Sequence, residues 1–265
     1  MPRAIVIHPG FHKTGTSTLQ QVLKHNRPAL KGQMRIVLKG EMKDLIHAAR
    51  GYSTWRDPFT LDKFAHRFRA LLERVGQMPR RVLCLSAEEL SGHLPGRAGI
   101  PDYSAAPVLA GEMARIAGEM HPGTPIRFYL TLRDREPWLH SAYWEHVKAS
   151  SMTRDWEDFA RTTRPGADLT TAADAVAVAV PGTVHRRRLE DCAAHPLGPA
   201  APLLDLCGIP AEVQSDLAPV PPANTRRDDS VLLALLAANR AYSDRDARQA
   251  AKRAILDAAQ ETPHD

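Results

Sequence analysis

The 265-residue chain is short of several things. It has three cysteines, Cys84, Cys192 and Cys207, an odd number without metal-ligand spacing. That argues against a disulfide framework or a cysteine-built metal site. No apolar run approaches the roughly 20 residues that span a bilayer. The first apolar run is broken at once by Pro9 and Gly10, so it lacks a secretory hydrophobic region. Together these absences point to reduced thiols in a cytoplasmic protein. The charge balance also lacks a dominant sign. With 35 Lys and Arg against 30 Asp and Glu, the net charge is +5 and the isoelectric point about 9.3. An excess of this size is no signature of nucleic-acid binding. It fits an anionic ligand or an ordinary solvated surface.

What is present is a repeated alternation of strand and helix. Hydrophobic residues make up 43 %, enough for a substantial core. "RAIVIH", "RIVLKG", "RRVLCLS" and "IRFYLTL" read as buried strands, and "TVHRRRLEDC" as a weak last one. A helix follows the first strand over Thr16 to Lys24, with Thr14 or Thr16 available to cap it. Phe64, Phe68, Leu71, Leu72 and Val75 fall at helical spacing in a second. Further helices are expected at "VLAGEMARIAGEM", at "EPWLHSAYWEHVKAS" with Pro137 in its first turn, at "DWEDFARTT" and around "APLLDLCGI". Two more close the chain. The aromatic side chains Trp138, Tyr143, Trp144 and Trp156 read as core, and His140 as outward-facing. The fold class is α/β: a mostly parallel central sheet flanked by helices, P-loop-like in its first turn. The expectation is a single domain over residues 1–265, with 224–265 as C-terminal helices packed on it.

Ligands of such sheets bind beyond the carboxyl ends of the strands. Directly after the first strand stands "HPGFHKTGTSTLQ". The usual phosphate loop reads G-x-x-x-x-G-K-[ST]. Here Gly10 and Gly15 keep that glycine spacing, but Thr16 replaces the lysine, and the lysine stands earlier, at Lys13. A strand, a glycine turn and a helix N-terminus aim several backbone N–H groups one way, and the helix dipole adds roughly half a positive charge. Thr14, Thr16 and Ser17 add hydroxyls and Lys13 an ammonium. The pattern predicts an anion site. A metal-dependent nucleotidase needs an Asp at the end of a second strand. Strand three ends instead at Ser86 and strand four at Arg133. Asp134, set between two arginines, reads as an ion-paired turn. By itself Arg133 reads as a partner of Asp134 or Glu136.

"GFHKTGTSTLQ" resembles the 5′-phosphosulfate loop of the bacterial-type sulfotransferases that use 3′-phosphoadenosine-5′-phosphosulfate (PAPS). The family's second signature is an arginine at a strand end with a serine eight residues on. "LRDREPWLHSAY" supplies Arg133 and Ser141 at that spacing, with Tyr143 in a similar place. The resemblance covers residues 4–20 and 126–148. "RRRLEDC…LLDLCGIP" is similar more loosely, with His185 to Arg187 where apolar strand residues usually stand. The resemblance implies transfer of a sulfuryl group from PAPS to an acceptor hydroxyl or amine, leaving the nucleotide PAP, with no metal required. It implies Lys13 at the bridging oxygen, the N–H groups of Gly15, Thr16 and Ser17 at the 5′-phosphate, and Arg133 with Ser141 at the 3′-phosphate. His12, in the same loop, would touch phosphate or acceptor.

An acceptor must lose a proton, so a general base is expected. In the resembled family it is a glutamate or a histidine near the end of the second or third strand. Glu88 is the first candidate here and Glu41 the second, while Glu89 reads as facing solvent. Arg226 is a further candidate for the 3′-phosphate. Gly51 to Thr60 and Ser91 to Ala105 read as acceptor-binding loops, with Tyr52, Trp55, Arg56 and Tyr103. They admit a small-molecule, glycan or lipid acceptor. Two rival readings stand beside this one. A metal-dependent P-loop kinase would use Arg133 and Arg135 as lid arginines. A non-catalytic relative would keep the nucleotide and lack the base.

Overall fold

The structure, a computed structural model, describes residues 1–97, 99–221 and 228–261. Arg226, proposed from sequence for the 3′-phosphate, lies outside the described residues. In chain order the elements begin β1 (Ala4–His8), α1 (Thr16–His25), α2 (Arg27–Leu30), β2 (Met34–Leu38), α3 (Lys43–Trp55) and α4 (Pro58–Val75). β3 (Val82–Ser86), α5 (Ala106–Met120), β4 (Ile126–Leu132), α6 (Arg135–Ala149), α7 (Trp156–Thr163) and α8 (Leu169–Ala179) follow. The chain closes with β5 (Val184–Arg188), α9 (Ala200–Leu206), α10 (Ala211–Ser215), α11 (Asp229–Ala241) and α12 (Arg245–Glu261). Among the described residues no helix is long and apolar enough to cross a membrane.

The five strands form one all-parallel sheet in the order β2-β3-β1-β4-β5. Side chains of β1 alternate between two cores. Ile5 and Ile7 pack with α3, α4 and α5, while Ala4 and Val6 pack with α1 and α9. Helices thus cover both faces, as near-continuous apolar strands require. The chain leaving β1 turns toward β2 through α1. The chain leaving β3 crosses to β4 through α5 on the other face. The crevice between the carboxyl ends of β3 and β1 is the switch point where such sheets bind ligands.

Register positions the site further. Ile7 of β1 is level with Phe128 of β4. β1 ends one residue later and β4 four residues later. β4 therefore overshoots by three residues, about 10 Å, and lifts Arg133 beside the loop that follows β1.

Four helices escaped the sequence reading: the short α2 and α10, and the longer α3 and α8. α3 contains Gly51, Ser53 and Thr54, poor helix formers, yet it buries Leu45, Ile46, Ala49 and Tyr52 against α4. Tertiary packing overrides local propensity there. Gly51 to Thr60 is accordingly not a loop but the end of α3 and the start of α4. α8 follows a Pro-Gly turn and begins at Asp168, whose carboxylate accepts from the N–H groups of Thr170 and Thr171 at 3.0 and 3.2 Å. The "HRRR" stretch is the edge strand β5, with Arg186 paired to Asp174 and Arg188 to Asp134. Charged side chains at a sheet edge discourage further strand pairing. Thr14 and Thr16 do not cap α1, whose N-cap residue is Gly15 and which has no side-chain cap.

The C-terminal helices dock on α6 through a buried lysine. Lys252, 2 % exposed, donates to the carbonyls of Val147 and Ser150 at 2.7 Å each and to Asn239 Oδ1 at 3.0 Å. An ammonium at the carboxyl end of α6 also complements its dipole. Lys252→Met keeps the length and removes all three donors. It is expected to lower unfolding free energy by about 3 kcal/mol, measured by denaturant titration.

Candidate functional site

The loop after β1 is held in a conformation that its residues would not choose. Gly10 and Gly15 have φ of 86° and 88°, and Lys13 has φ of 63°. The left-handed region costs a lysine of order 1–3 kcal/mol and persists where the surroundings over-determine it. They do so here. Arg133 Nη1 donates to the Lys13 carbonyl at 3.1 Å, and Trp138 Nε1 to the His12 carbonyl at 2.9 Å. Thr16 Oγ1 donates to the Phe11 carbonyl at 3.2 Å. Thr14 Oγ1 lies 2.6 Å from that carbonyl and from Thr131 Oγ1 of β4. Both glycines are also required by close neighbours. A Cβ at Gly10 would stand 2.7 Å from Glu88 Cβ, and one at Gly15 would stand 2.6 Å from Leu189 Cδ1.

One cavity of about 1420 Å³ gathers the two sequence motifs. Lys13, Gly15, Thr16, Ser17, Arg133 and Ser141 all line it, with His12 and Glu88. Thr14 does not, because its side chain is buried under the loop. α1 opens onto the cavity with no acidic residue in its first turn and no capping side chain, so its leading N–H groups keep their pull on an anion. α6 lines the opposite side with Pro137, His140, Ser141, Trp144, Glu145 and Lys148, a run at helical spacing. Its other face buries Trp138, Leu139, Ala142 and Val147. His140 is exposed, as expected, and stacks on Trp156 at 3.9 Å.

Charges in the cavity are arranged unevenly. Lys13 Nζ donates to Glu145 Oε2 at 3.0 Å, and Lys148 Nζ lies 3.1 Å from the same oxygen. Burial raises the pKa of Glu145, but the two ammonium groups outweigh it and leave it lowered. One carboxylate thus serves two lysines. Arg133 is half-buried and, among the described residues, has no carboxylate within ion-pair reach. Its expected partner Asp134 bonds Arg188, and Glu136 bonds Arg164. Burial lowers the pKa of Arg133, and Glu190 opposes this only through space.

The two base candidates part company. Glu88 is buried in the turn after β3, pairs with Lys39 and receives Gln20 Nε2 at 3.4 Å. Glu41 does not line the cavity. It is held between Arg27 and Arg35 at 3.0 and 2.6 Å. Glu89, expected to face solvent, is buried instead, 3.1 Å from Lys39 and from Arg50. Burial pulls the ammonium of Lys39 down, and Glu88 and Glu89 more than reverse this.

Tyr103 fixes His12. The Tyr103 hydroxyl accepts from the His12 backbone N–H at 3.0 Å and lies 3.1 Å from Nδ1. Donating to Nδ1 places the imidazole proton on Nε2. Burial, the largest influence, pushes the pKa of His12 down to about 3, so the ring is neutral near pH 7. Tyr103 is therefore a buried support of the loop. None of Tyr52, Trp55, Arg56 and Tyr103 lines the cavity, and Trp55 is 72 % exposed. The Ser91 to Ala105 segment contributes His93, Leu94 and Arg97 to the cavity instead. Sequence reasoning also missed Lys39, Arg50, Glu145 and Leu189, which come from four separate segments. Only the fold brings them together.

No family model matches the chain, and no curated protein matches it in sequence. Among solved structures, a sulfotransferase from Alicyclobacillus acidocaldarius aligns over 98 % of this chain and 99 % of its own, at 16 % identity and a TM-score of 0.48.

His8 is also buried, with its pKa lowered to about 3. An unfolded histidine titrates near 6.5. Between those values the unfolded chain binds more protons than the folded one, so stability falls on acidification below pH 6.5. Denaturant titrations at pH 7 and pH 5 are expected to show that loss. The His12 ring resonances in NMR are expected to stay at their neutral positions over the same range.

Proposed function

We propose that the chain transfers a sulfuryl group from PAPS to an acceptor hydroxyl or amine. One observation carries this reading: two stretches 120 residues apart meet at a hydrogen bond and line one cavity. An ammonium and an uncapped helix start stand on one side, and a guanidinium without a carboxylate partner among the described residues stands with a hydroxyl on the other. Two separate anion grips suit a nucleotide with phosphates at both ends. The cavity exceeds the roughly 300–1,000 Å³ of an ordinary small-molecule site, which leaves space for an acceptor as well.

The N–H groups of Gly15, Thr16 and Ser17 would hold the 5′-phosphate, with the neutral His12 as a further donor through Nε2. Arg133 would grip the 3′-phosphate with its unused N–H groups, and Ser141 would add one bond. Lys13 would offset the charge that grows on the bridging oxygen. PAPS supplies the sulfuryl group: a bond from the acceptor atom to sulfur forms as the sulfur–bridging-oxygen bond breaks, its electron pair leaving with PAP. Glu88 takes the acceptor's proton in this reading, and Lys39 holds its carboxylate in place.

Calorimetric titration with PAP in EDTA is expected to show binding, weakened about tenfold or more by Lys13→Ala and by Arg133→Ala. Unchanged affinity in both variants would remove the site assignment. Binding of magnesium-ATP without affinity for PAP would install the kinase reading instead. Glu88→Gln is expected to lower kcat about 100- to 10,000-fold with PAP affinity retained. A wild-type protein that binds PAP yet sulfates nothing across a broad acceptor screen would be the non-catalytic relative.

A further inference from the structure

A second cavity, about 910 Å³, adjoins the first. The two meet at His93, Arg97 and Ser150, which line both. The walls of the second come mainly from the loop after β3 and from the stretch joining α6 to α7. Among the described residues, no Asp or Glu lines it, while Arg97 and Arg154 both do. Neither arginine has a carboxylate partner among the described residues.

Both guanidinium groups are nonetheless positioned. Arg97 Nη1 lies 3.0 Å from His93 Nδ1. Arginine only donates, so this nitrogen accepts and the imidazole proton sits on Nε2. Arg154 gives Nη1 to Thr162 Oγ1 at 2.6 Å and Nη2 to the Gly96 carbonyl, and lies 5.5 Å from the centre of the Phe159 ring. Hydroxyl, carbonyl and ring fix its plane without neutralising its charge. Ser151 and Thr153 add two exposed hydroxyls that have no hydrogen-bond partner among the described residues.

We infer that this second cavity binds the acceptor, and that the acceptor is an acidic sugar: a hydroxylated ring carrying an anionic group. Its role as acceptor subsite rests on the sulfuryl-transfer reading. The cations and hydroxyls stand on their own. Two positioned, unneutralised guanidinium groups call for an anion and repel an ammonium. The free hydroxyls of Ser151 and Thr153 suit a ring that carries hydroxyls of its own. The two cavities share His93 and Arg97, so an acceptor seated at the arginines adjoins the cavity that Glu88 lines.

The test compares p-nitrophenyl β-D-glucuronide with p-nitrophenyl β-D-glucoside, which differ by a carboxylate on the same ring. Each is titrated by NMR into nucleotide-free and PAP-saturated protein. The glucuronide is expected to bind about tenfold tighter or more. Arg97→Gln and Arg154→Gln are each expected to abolish that preference, and Arg154→Gln, outside the first cavity, is expected to leave PAP affinity unchanged. Arg97 is exposed, so its substitution decides the matter even if Arg154→Gln fails to fold. Equal affinity for the two sugars, or a preference that survives the substitutions, would overturn the subsite. An arginine-dependent preference in a protein that fails to bind PAP would leave the subsite standing and discard the nucleotide reading.

Discussion

The bond from the Arg133 guanidinium to the carbonyl of Lys13 is the constraint on which the site depends. It joins the end of β4 to the loop after β1 and helps hold Lys13 in its left-handed turn. The overshoot of β4 past β1 makes the bond reachable, and the desolvated face of α6 supplies a second support in Trp138. Backbone strain at Lys13 is thus offset by groups from two other elements. The ammonium at the site is positioned by tertiary structure rather than by its own local preference.

The same logic organises the charges. Outside the cavity the chain closes its own ion pairs, as with Glu41 between its two arginines and Asp134 on Arg188. Within the cavity the pairing is incomplete. Glu145 is shared between Lys13 and Lys148, and Arg133 has no acidic partner among the described residues. The modest net charge of the whole chain hides this local imbalance.

Much of the fold was legible from the sequence because apolar strands and punctuating glycines speak locally. β4 was read to the residue, and β1, β3, α4 and α6 to within one or two at each end. α3 was not legible, because Gly51, Ser53 and Thr54 obscure a helix that exists through its contact with α4. The site divides in the same way. Lys13, Gly15, Arg133 and Ser141 sit in contiguous motifs at strand ends, and the structure brings them to one cavity. Tyr103 looked like an acceptor contact because it lies in a polar loop, yet its burial under His12 depends on residues 91 positions apart. Glu89 looked solvent-facing because the turn that buries it has no periodicity to read.

The burial of Thr16 bears on why the lysine of this loop stands early. Thr16 is 3 % exposed, and its hydroxyl is tied to the Phe11 carbonyl beneath the turn. A lysine grafted there would lose the bond to the Phe11 carbonyl and would put a longer stem where a threonine is already 3 % exposed. Residue 13, by contrast, carries its ammonium to Glu145 on the cavity wall. Moving the lysine from position 13 to position 16 would therefore cost twice: the Phe11 carbonyl would lose a donor beneath the turn, and Glu145 would lose one of its two lysines.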